Sequence, residues 1–228
     1  MARRQPRTYD VSTRAGALKV HCWEPDAGIT APLTVVTVHP WAVLGGSEYN
    51  CVGICQVLAQ RGFRAISFNL RSSSMVWGVL SNHSSEVRQI HDVCVWASQT
   101  FAQTRIVLFG SSAGAPQAGS ALDLTESVVG AVCVGYTFGW FASIGFGRHF
   151  GALLRSEKPR LMIMGDRDEF TSEATLRKQV AKAREGTICE SFIFRGIGHF
   201  ELESPDYDEE VARCTIEWLQ NPRTGILS

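Results

Sequence analysis

The 228-residue sequence has no excess of charge of either sign. Its lysines and arginines number 22 and its aspartates and glutamates also number 22, so the formal net charge at neutral pH is zero. No block of like charges and no basic stripe stands out along the chain. Because proteins that bind nucleic acids do so mainly by neutralising phosphates with lysine and arginine, we expect no nucleic-acid partner.

The sequence also lacks the cysteine pairs that mark disulfide frameworks and metal or redox sites. Its seven cysteines are odd in number, scattered, and without any Cys-x-x-Cys spacing. Most of them lie in apolar stretches, which is typical of buried, reduced thiols. No apolar segment follows the charged residues 1–7, as it would in a secretory signal. We therefore predict a cytoplasmic protein that uses no metal and no other cofactor.

Internal repeats and low-complexity linkers are missing as well. Apolar residues make up 45% and charged residues 19%, values of a compact globular protein, and the length suits one α/β domain over residues 1–228. The uncharged run 127–147 is long enough for a membrane helix, but its five glycines and the β-branched segment 128–134 favour a buried strand. We therefore expect no membrane association.

Short apolar runs alternate with amphipathic stretches along the chain, a pattern typical of βα units on a mostly parallel sheet. The fold class predicted is α/β. Thr171 and Ser204 are the expected N-caps of the last two helices. The pattern predicts strands at 8–12, 18–23, 33–38, 63–69, 105–109, 128–134, 160–164 and 187–194, and helices at about 51–61, 86–101, 113–122, 171–185 and from 204 onward.

The strongest signal for function is the segment 106–114, where a buried strand runs into Gly110-Ser111-Ser112-Ala113-Gly114 and then into a helix of small residues. A G-x-S-x-G pattern between a strand and a helix is the context of a nucleophile elbow. Ser112 is therefore the candidate nucleophile, and the backbone N–H of Ala113 is a candidate oxyanion donor at the helix N-terminus. Ser111 is the rival hydroxyl, but it occupies a variable position of the pattern. A phosphate-binding loop is disfavoured, because it would need a lysine and a different spacing.

A serine hydroxyl needs a general base, and the base needs a carboxylate that orients it. His199 is the candidate base, because it stands in a glycine-flanked loop between the last predicted strand and the last predicted helix. The alternative, His39, is interpreted as a structural histidine that braces the loop after strand 33–38. That loop should supply a second oxyanion donor, for which the backbone N–H of Trp41 is the candidate.

Three acids after strand 160–164 compete for the role of orienting carboxylate. We favour Asp168, which follows Gly165 by three residues and can turn towards the histidine. Asp166 is the second choice and is expected to cap the turn, and Glu169 is expected to be solvated. The chain order serine, aspartate, histidine is that of α/β-hydrolases and differs from the orders of chymotrypsin and subtilisin.

Taken together, the motifs resemble the small α/β-hydrolases related to the dienelactone-hydrolase and serine-aminopeptidase-like groups. The resemblance covers roughly residues 33–220, and it implies an eight-stranded, mostly parallel sheet flanked by helices. It also implies a triad of Ser112, Asp168 and His199, with Trp41 and Ala113 as oxyanion donors. The segments that carry it are His39-Pro40 with Gly45-Gly46, Phe68–Arg71, Gly110–Gly114, Gly165–Asp168 and Gly198-His199.

Two departures from the family pattern limit what the resemblance implies. The segment 71–75 reads Arg-Ser-Ser-Ser-Met where the family often has Arg-Gly-x-Gly-x-Ser, so this loop is expected to differ near the site. The serine at the elbow argues against dienelactone hydrolases proper, which use cysteine. It also argues against the epoxide hydrolases and dehalogenases of this fold, which use aspartate.

The segment between strands 128–134 and 160–164 is too short for a large lid domain. It is rich in aromatic residues, which can pack in the core, line an acyl pocket or touch lipid or a partner; the sequence leaves this open. The aromatic residues are Tyr136, Phe138, Trp140, Phe141, Phe146 and Phe150.

These observations predict a serine hydrolase that cleaves a carboxylic ester or thioester through an acyl-enzyme on Ser112. The partner expected is a small-molecule acyl substrate, and homo-oligomerisation is left open. One alternative is a non-catalytic binding or scaffold protein of the same fold, because fold alone does not secure function. Another is an acyl hydrolase that anchors to a membrane through the aromatic segment.

Overall fold

The computed structural model describes residues 5–40, 42, 45–71, 84–102, 104–138 and 140–227, with residues 140–146 and 148 described by their backbone alone. Its strands are β1 (Arg7–Thr13), β2 (Gly16–Trp23), β3 (Thr34–Val38), β4 (Arg64–Phe68), β5 (Ile106–Ser111), β6 (Val128–Val134), β7 (Arg160–Gly165) and β8 (Cys189–Phe194). Its α-helices are α1 (Val52–Gln60), α2 (Ser84–Thr100), α3 (Gly114–Ala121), α4 (Trp140–Arg155), α5 (Glu173–Val180), α6 (His199–Leu202) and α7 (Asp208–Gln220).

All eight strands form one sheet in the order β1-β2-β4-β3-β5-β6-β7-β8. β2 pairs antiparallel with β1 and β4, whereas β3 to β8 are parallel to one another. The predicted eight-stranded, mostly parallel α/β architecture is therefore confirmed. The strand order reverses between β3 and β5, and ligands of such sheets bind at the carboxyl ends of the strands beside this point.

The helices cover both faces of the sheet, which explains why the central strands read as continuous apolar runs. Neighbouring residues of β3 show the division, because Val35 and Val36 belong to two separate core clusters. Residues of α2 and α3 pack on the Val36 face, and residues of α1 and α7 pack on the Val35 face. Both faces of β3 are buried, so the register of this strand is set by packing on two sides.

Three local features differ from the sequence-based predictions. The helix expected at 171–185 is the shorter α5, and its N-cap is Ser172, whose side chain accepts the Thr175 N–H. Thr171 instead donates its hydroxyl proton to Tyr136 O and accepts the Phe138 N–H, because it is buried between two loops. The prediction of Thr171 as the cap is therefore wrong.

A helix that the sequence pattern did not indicate, α4, connects β6 and β7. The third difference concerns His199, which was expected in a loop but is the first residue of the short helix α6. The uncharged run 127–147 divides into β6 and the beginning of α4. Over the described ranges, no helix is both long enough and apolar enough to cross a bilayer.

Candidate active site

Ser112 lies in a strained turn between β5 and α3. Its φ is +50°, in the left-handed region that non-glycine residues rarely adopt. A Cβ on Gly110 would lie 2.5 Å from the Ala115 Cα, and a Cβ on Gly114 would collide with the Val38 carbonyl oxygen. The two glycines of the motif are therefore required by backbone packing on either side of the serine, as expected for a nucleophile elbow.

A chain of hydrogen bonds joins the three candidate catalytic side chains. The Ser112 hydroxyl donates to His199 Nε2 over 2.8 Å, and His199 Nδ1–H donates to Asp168 Oδ2 over 2.6 Å. The side chains of His199 and Asp168 are fully buried. The structure thus brings together the residues that the sequence predicted from three separate segments, in the geometry of a nucleophile, base and orienting acid.

Backbone donors hold the second oxygen of Asp168. The N–H groups of Phe170 and Thr171 donate to Oδ1 over 2.9 and 2.8 Å. Asp166, the second choice for the acid, instead accepts the Gly196 N–H at 2.7 Å. This agrees with its expected role in capping the turn, and Asp168 is the carboxylate that reaches the imidazole.

Two neighbours help to hold His199 in place: Glu169, which was expected to be solvated, and Gly135, which the sequence-based reasoning did not single out. The backbone N–H of His199 donates to Glu169 Oε2 over 2.8 Å. Glu169 is exposed, as expected, but it also holds the backbone of the catalytic histidine. A Cβ on Gly135 would lie 2.8 Å from His199 Cε1. Glycine at the end of β6 therefore makes room for the ring.

The pKa of His199 is raised above its ordinary value of 6.5 by its carboxylate neighbours. Burial acts to lower the pKa, but the hydrogen bond and charge of Asp168 and the charges of Glu203 and Glu169 outweigh it. An imidazole in such a field takes up a proton readily, as a base for the Ser112 hydroxyl must.

The candidate oxyanion region lies between the elbow and the loop after β3. Ala113 is buried at the N-cap of α3, where the positive end of the helix dipole favours an anion. A small cavity beside Ala113 is also lined by His39, Pro40 and Ala42 of the β3 loop. The loop expected to supply the second donor is therefore adjacent to the elbow. Trp41 itself lies outside the described residues, as does most of the departing segment 71–75.

His39 is a buried structural histidine in this loop, as the sequence-based interpretation holds. Its Nδ1–H donates to Pro40 O over 2.5 Å, and its Nε2 accepts the Leu70 N–H over 3.0 Å. Because Nε2 accepts a hydrogen bond, it carries no proton and both ring nitrogens are engaged; burial also lowers the pKa of His39. His39 therefore connects the β3 loop to the end of β4 and is not available as a base for Ser112.

Three further residues beside the triad were not singled out from the sequence. Phe170 and Phe200 pack edge-on against the His199 ring, with centroids 4.6 and 5.4 Å away, and Phe200 is 59% exposed. Glu203 accepts the Ser111 hydroxyl proton at 2.6 Å. The signals that could have found them are adjacency to the predicted acid and base and, for Glu203, the i+4 spacing from His199.

The described aromatic side chains of segment 136–150 pack in the core. Tyr136 and Phe138 are buried and stacked at 4.1 Å, and Phe150 packs against both. Core packing is therefore the correct interpretation for these three. The side chains of Trp140, Phe141 and Phe146 lie outside the described part of the chain.

The fold and the elbow together define the class of structure: this is an α/β-hydrolase fold, with a serine at the position of the nucleophile. No family model and no curated protein matches the sequence. Many solved structures resemble it, including an α/β serine hydrolase homologue from Coxiella burnetii, which is 20% identical with a TM-score of 0.77 over 96% of this chain and all of that one.

Two other similar structures extend this comparison. A lidless α/β serine hydrolase from Xanthomonas campestris is 18% identical, with a TM-score of 0.74 over 96% of this chain and 98% of that one. Esterase 2 from Thermogutta terrifontis is 16% identical, with a TM-score of 0.78 over 100% of this chain and 98% of that one. The resemblance to small serine α/β-hydrolases is thus confirmed at the level of the fold, and the residue roles depend on the geometry above.

Proposed function

We propose that this protein is a serine hydrolase that cleaves a carboxylic ester or thioester through an acyl-enzyme on Ser112. The observation that carries the proposal is the unbroken hydrogen-bond chain from the Ser112 hydroxyl through His199 to Asp168. A strained turn and a buried carboxylate reduce the stability of the fold, and a protein that only binds a ligand has no need of them or of the oriented histidine. The similarity to known esterases and serine hydrolases supports the same conclusion at the level of the fold.

In the acylation step, Ser112 Oγ attacks the acyl carbon of the substrate. His199 Nε2 takes the hydroxyl proton, and Asp168 stabilises the imidazolium and holds its orientation. The N–H groups of Ala113 and Trp41 stabilise the oxyanion of the tetrahedral intermediate, a contribution of about 10²–10³ in rate for each donor. Collapse breaks the bond to the leaving alcohol or thiol, which receives the proton from His199.

The substrate we propose is a small acyl compound whose apolar group contacts the aromatic rings beside His199. Phe170 and Phe200 lie 5.6 Å apart and both pack on the imidazole, so the rim next to the reacting atoms is apolar. Apolar walls with few polar groups are typical of acyl and other small-molecule sites.

The direct test compares Ser112→Ala with the wild type on a panel of chromogenic esters and thioesters with matched acyl chains. Without the nucleophile, turnover should fall on the order of 10⁴–10⁶-fold. A fluorophosphonate probe should label the wild type and not the variant. Ser98→Ala is the matched control, because Ser98 lies on α2 and its hydroxyl donates to a carbonyl of its own helix, Val95 O, over 2.9 Å.

Two outcomes would contradict the proposal. If the Ser112 variant kept more than a few per cent of the activity, another residue would be the nucleophile. If the folded wild type neither reacted with the probe nor cleaved any member of the panel, the protein would be a binding or scaffold member of the fold. The relative rates on matched esters and thioesters decide which leaving group the site accepts.

A further inference from the structure

A second carboxylate, Glu203, faces the catalytic histidine on the side opposite Asp168. Its Oε2 lies 3.9 Å from His199 Nε2, the nitrogen that contacts the nucleophile. Glu203 follows His199 by four residues across the short helix α6, a spacing that brings two side chains to one helical face. The imidazole therefore has a carboxylate near each of its nitrogens, and only the one at Nδ1 is accounted for by the triad.

Glu203 is held in this position by the neighbour of the nucleophile. The Ser111 hydroxyl donates to Glu203 Oε1 over 2.6 Å, and the glutamate side chain is 9% exposed. Burial raises the pKa of Glu203, while the nearby His199 and the hydrogen bond from Ser111 act to lower it. Burial of a carboxylate is costly unless specific interactions stabilise it. Among the described residues, one side-chain hydrogen bond reaches the Glu203 carboxylate, and it comes from Ser111, at a variable position of the elbow pattern.

The distance to Nε2 indicates when in the reaction Glu203 would act. Before acylation, Nε2 is occupied by the Ser112 hydroxyl at 2.8 Å, and Glu203 at 3.9 Å is beyond hydrogen-bond range. After acylation, the serine has no proton to donate, and Nε2 can accept a hydrogen bond from water. A single water can bridge two acceptors separated by 3.9 Å, because each contact needs only about 2.8 Å.

We propose that Glu203, fixed by Ser111, is a positioning residue that orients the water which hydrolyses the acyl-enzyme. This inference rests on the proposed function and assigns a role to the second step of that reaction. The water donates one hydrogen to His199 Nε2 and the other to Glu203 Oε2. These two contacts direct the lone pair of the water oxygen towards the acyl carbon.

The atoms of the step balance without any additional reactant. The water oxygen forms a bond to the acyl carbon, and its first proton passes to His199 Nε2. The second hydrogen stays on the oxygen, hydrogen-bonded to Glu203. The intermediate then collapses, the bond between the acyl carbon and Ser112 Oγ breaks, and Oγ recovers the proton from Nε2 as the carboxylic acid leaves.

A purely electrostatic role for Glu203 would have different consequences. A negative charge that only stabilises the imidazolium would assist acylation and deacylation alike, because the same imidazolium forms in both steps. Orientation of the water acts on deacylation alone. The ratio of the two rate constants therefore distinguishes positioning of the water from general stabilisation.

The experiment measures both steps by stopped-flow with the p-nitrophenyl ester that the wild type cleaves fastest. Glu203→Gln keeps the volume but removes the charge and, with Oε1 held by Ser111, turns an N–H donor towards the water in place of the acceptor oxygen. It should slow deacylation at least about tenfold while changing the acylation burst less than about threefold. Acid-quenched samples should then contain an acyl adduct on Ser112, visible by intact mass. Ser111→Ala, which removes the hydrogen bond that holds Glu203, should also slow deacylation, but by a smaller factor.

Glu217→Gln is the matched control. Glu217 is 62% exposed on α7, where it pairs with Arg213, and its variant should leave both rate constants unchanged. Unchanged deacylation in the Glu203 variant, or equal slowing of both steps, overturns the inference and leaves the serine hydrolase intact. If the Glu203 variant does not fold, the Ser111 variant decides by the same two rates. A wild type that gives neither turnover nor adduct overturns both proposals.

Discussion

His199 is the residue in which most of the site's interactions meet. Its two ring nitrogens face Ser112 and Asp168, its backbone N–H binds Glu169, and its ring edge lies against Gly135. Together these contacts fix the tautomer of the imidazole and the orientation and position of its ring. Catalytic side chains must be held within about 0.5 Å of their productive position, which requires supporting contacts of this kind.

At the scale of single residues, the two aspartates after β7 give the sharpest prediction. Asp168→Asn should lower kcat on the order of 10³–10⁴-fold, because an amide does not stabilise the imidazolium or its tautomer. Asp166→Asn, the same substitution two residues earlier, affects the turn at Gly196 and the ion pair with Arg195 and should cost less than about tenfold. Steady-state kinetics on the best ester of the panel measures both. A larger loss for Asp166→Asn would identify it as the acid.

At the scale of elements, the site is assembled where helices and strands end. Ser112 lies between β5 and α3, Asp168 follows β7, and His199 begins α6.

The packing of two other elements, α1 and α7, includes a less favourable contact. Asp208, the first residue of α7, lies so close to Gly53 of α1 that a Cβ there would overlap its carboxylate, and burial raises the pKa of Asp208 to about 7.

This contact predicts a pH-dependent effect on stability. The folded-state pKa of Asp208 lies above its ordinary value of 3.8, so folding favours the protonated form. Its stabilising contribution is present below pH 4, declines as the pH rises towards 7, and changes no further above that. Asp208→Asn should therefore gain free energy of unfolding relative to the wild type between pH 4 and 7. Urea titrations at several pH values measure the difference, which should stay flat for Asp206→Asn, an exposed carboxylate nearby.

At the scale of the whole molecule, the helices on both faces of the sheet bury nearly all of the cysteines. Six of the seven are buried, distributed over both core clusters or beside them, and Cys189 is partly exposed. Burial raises the pKa of Cys51 and Cys94 to about 12 and raises that of Cys189 as well. Because the thiolate is the reactive form, the native fold should protect the six buried thiols and leave Cys189 as the most accessible one.

The prediction for the whole molecule is therefore a difference in thiol titration between the folded and unfolded protein. With Ellman's reagent at pH 8, the native protein should expose at most one rapidly reacting thiol, and the protein in concentrated urea should expose seven. Cys189→Ser should remove the native reaction, whereas Cys133→Ser, in β6, should leave it unchanged. Rapid reaction of several native thiols would contradict the burial.

The sequence by itself determined the strands of the sheet, the helices α1, α2, α3, α5 and α7 and the three triad candidates, because apolar periodicity and the glycines of the elbow are local patterns. It did not determine α4, whose aromatic and glycine-rich segment hides the helical period, nor the true cap of α5, because Thr171 is recruited by a distant loop. Only the tertiary structure shows the approach of Glu203 to His199, and only its contacts turn the preference for Asp168 over Asp166 and the structural interpretation of His39 into atomic distances. Each depends on which atoms meet when segments far apart in the chain pack at one edge of the sheet, and a linear pattern does not contain those distances.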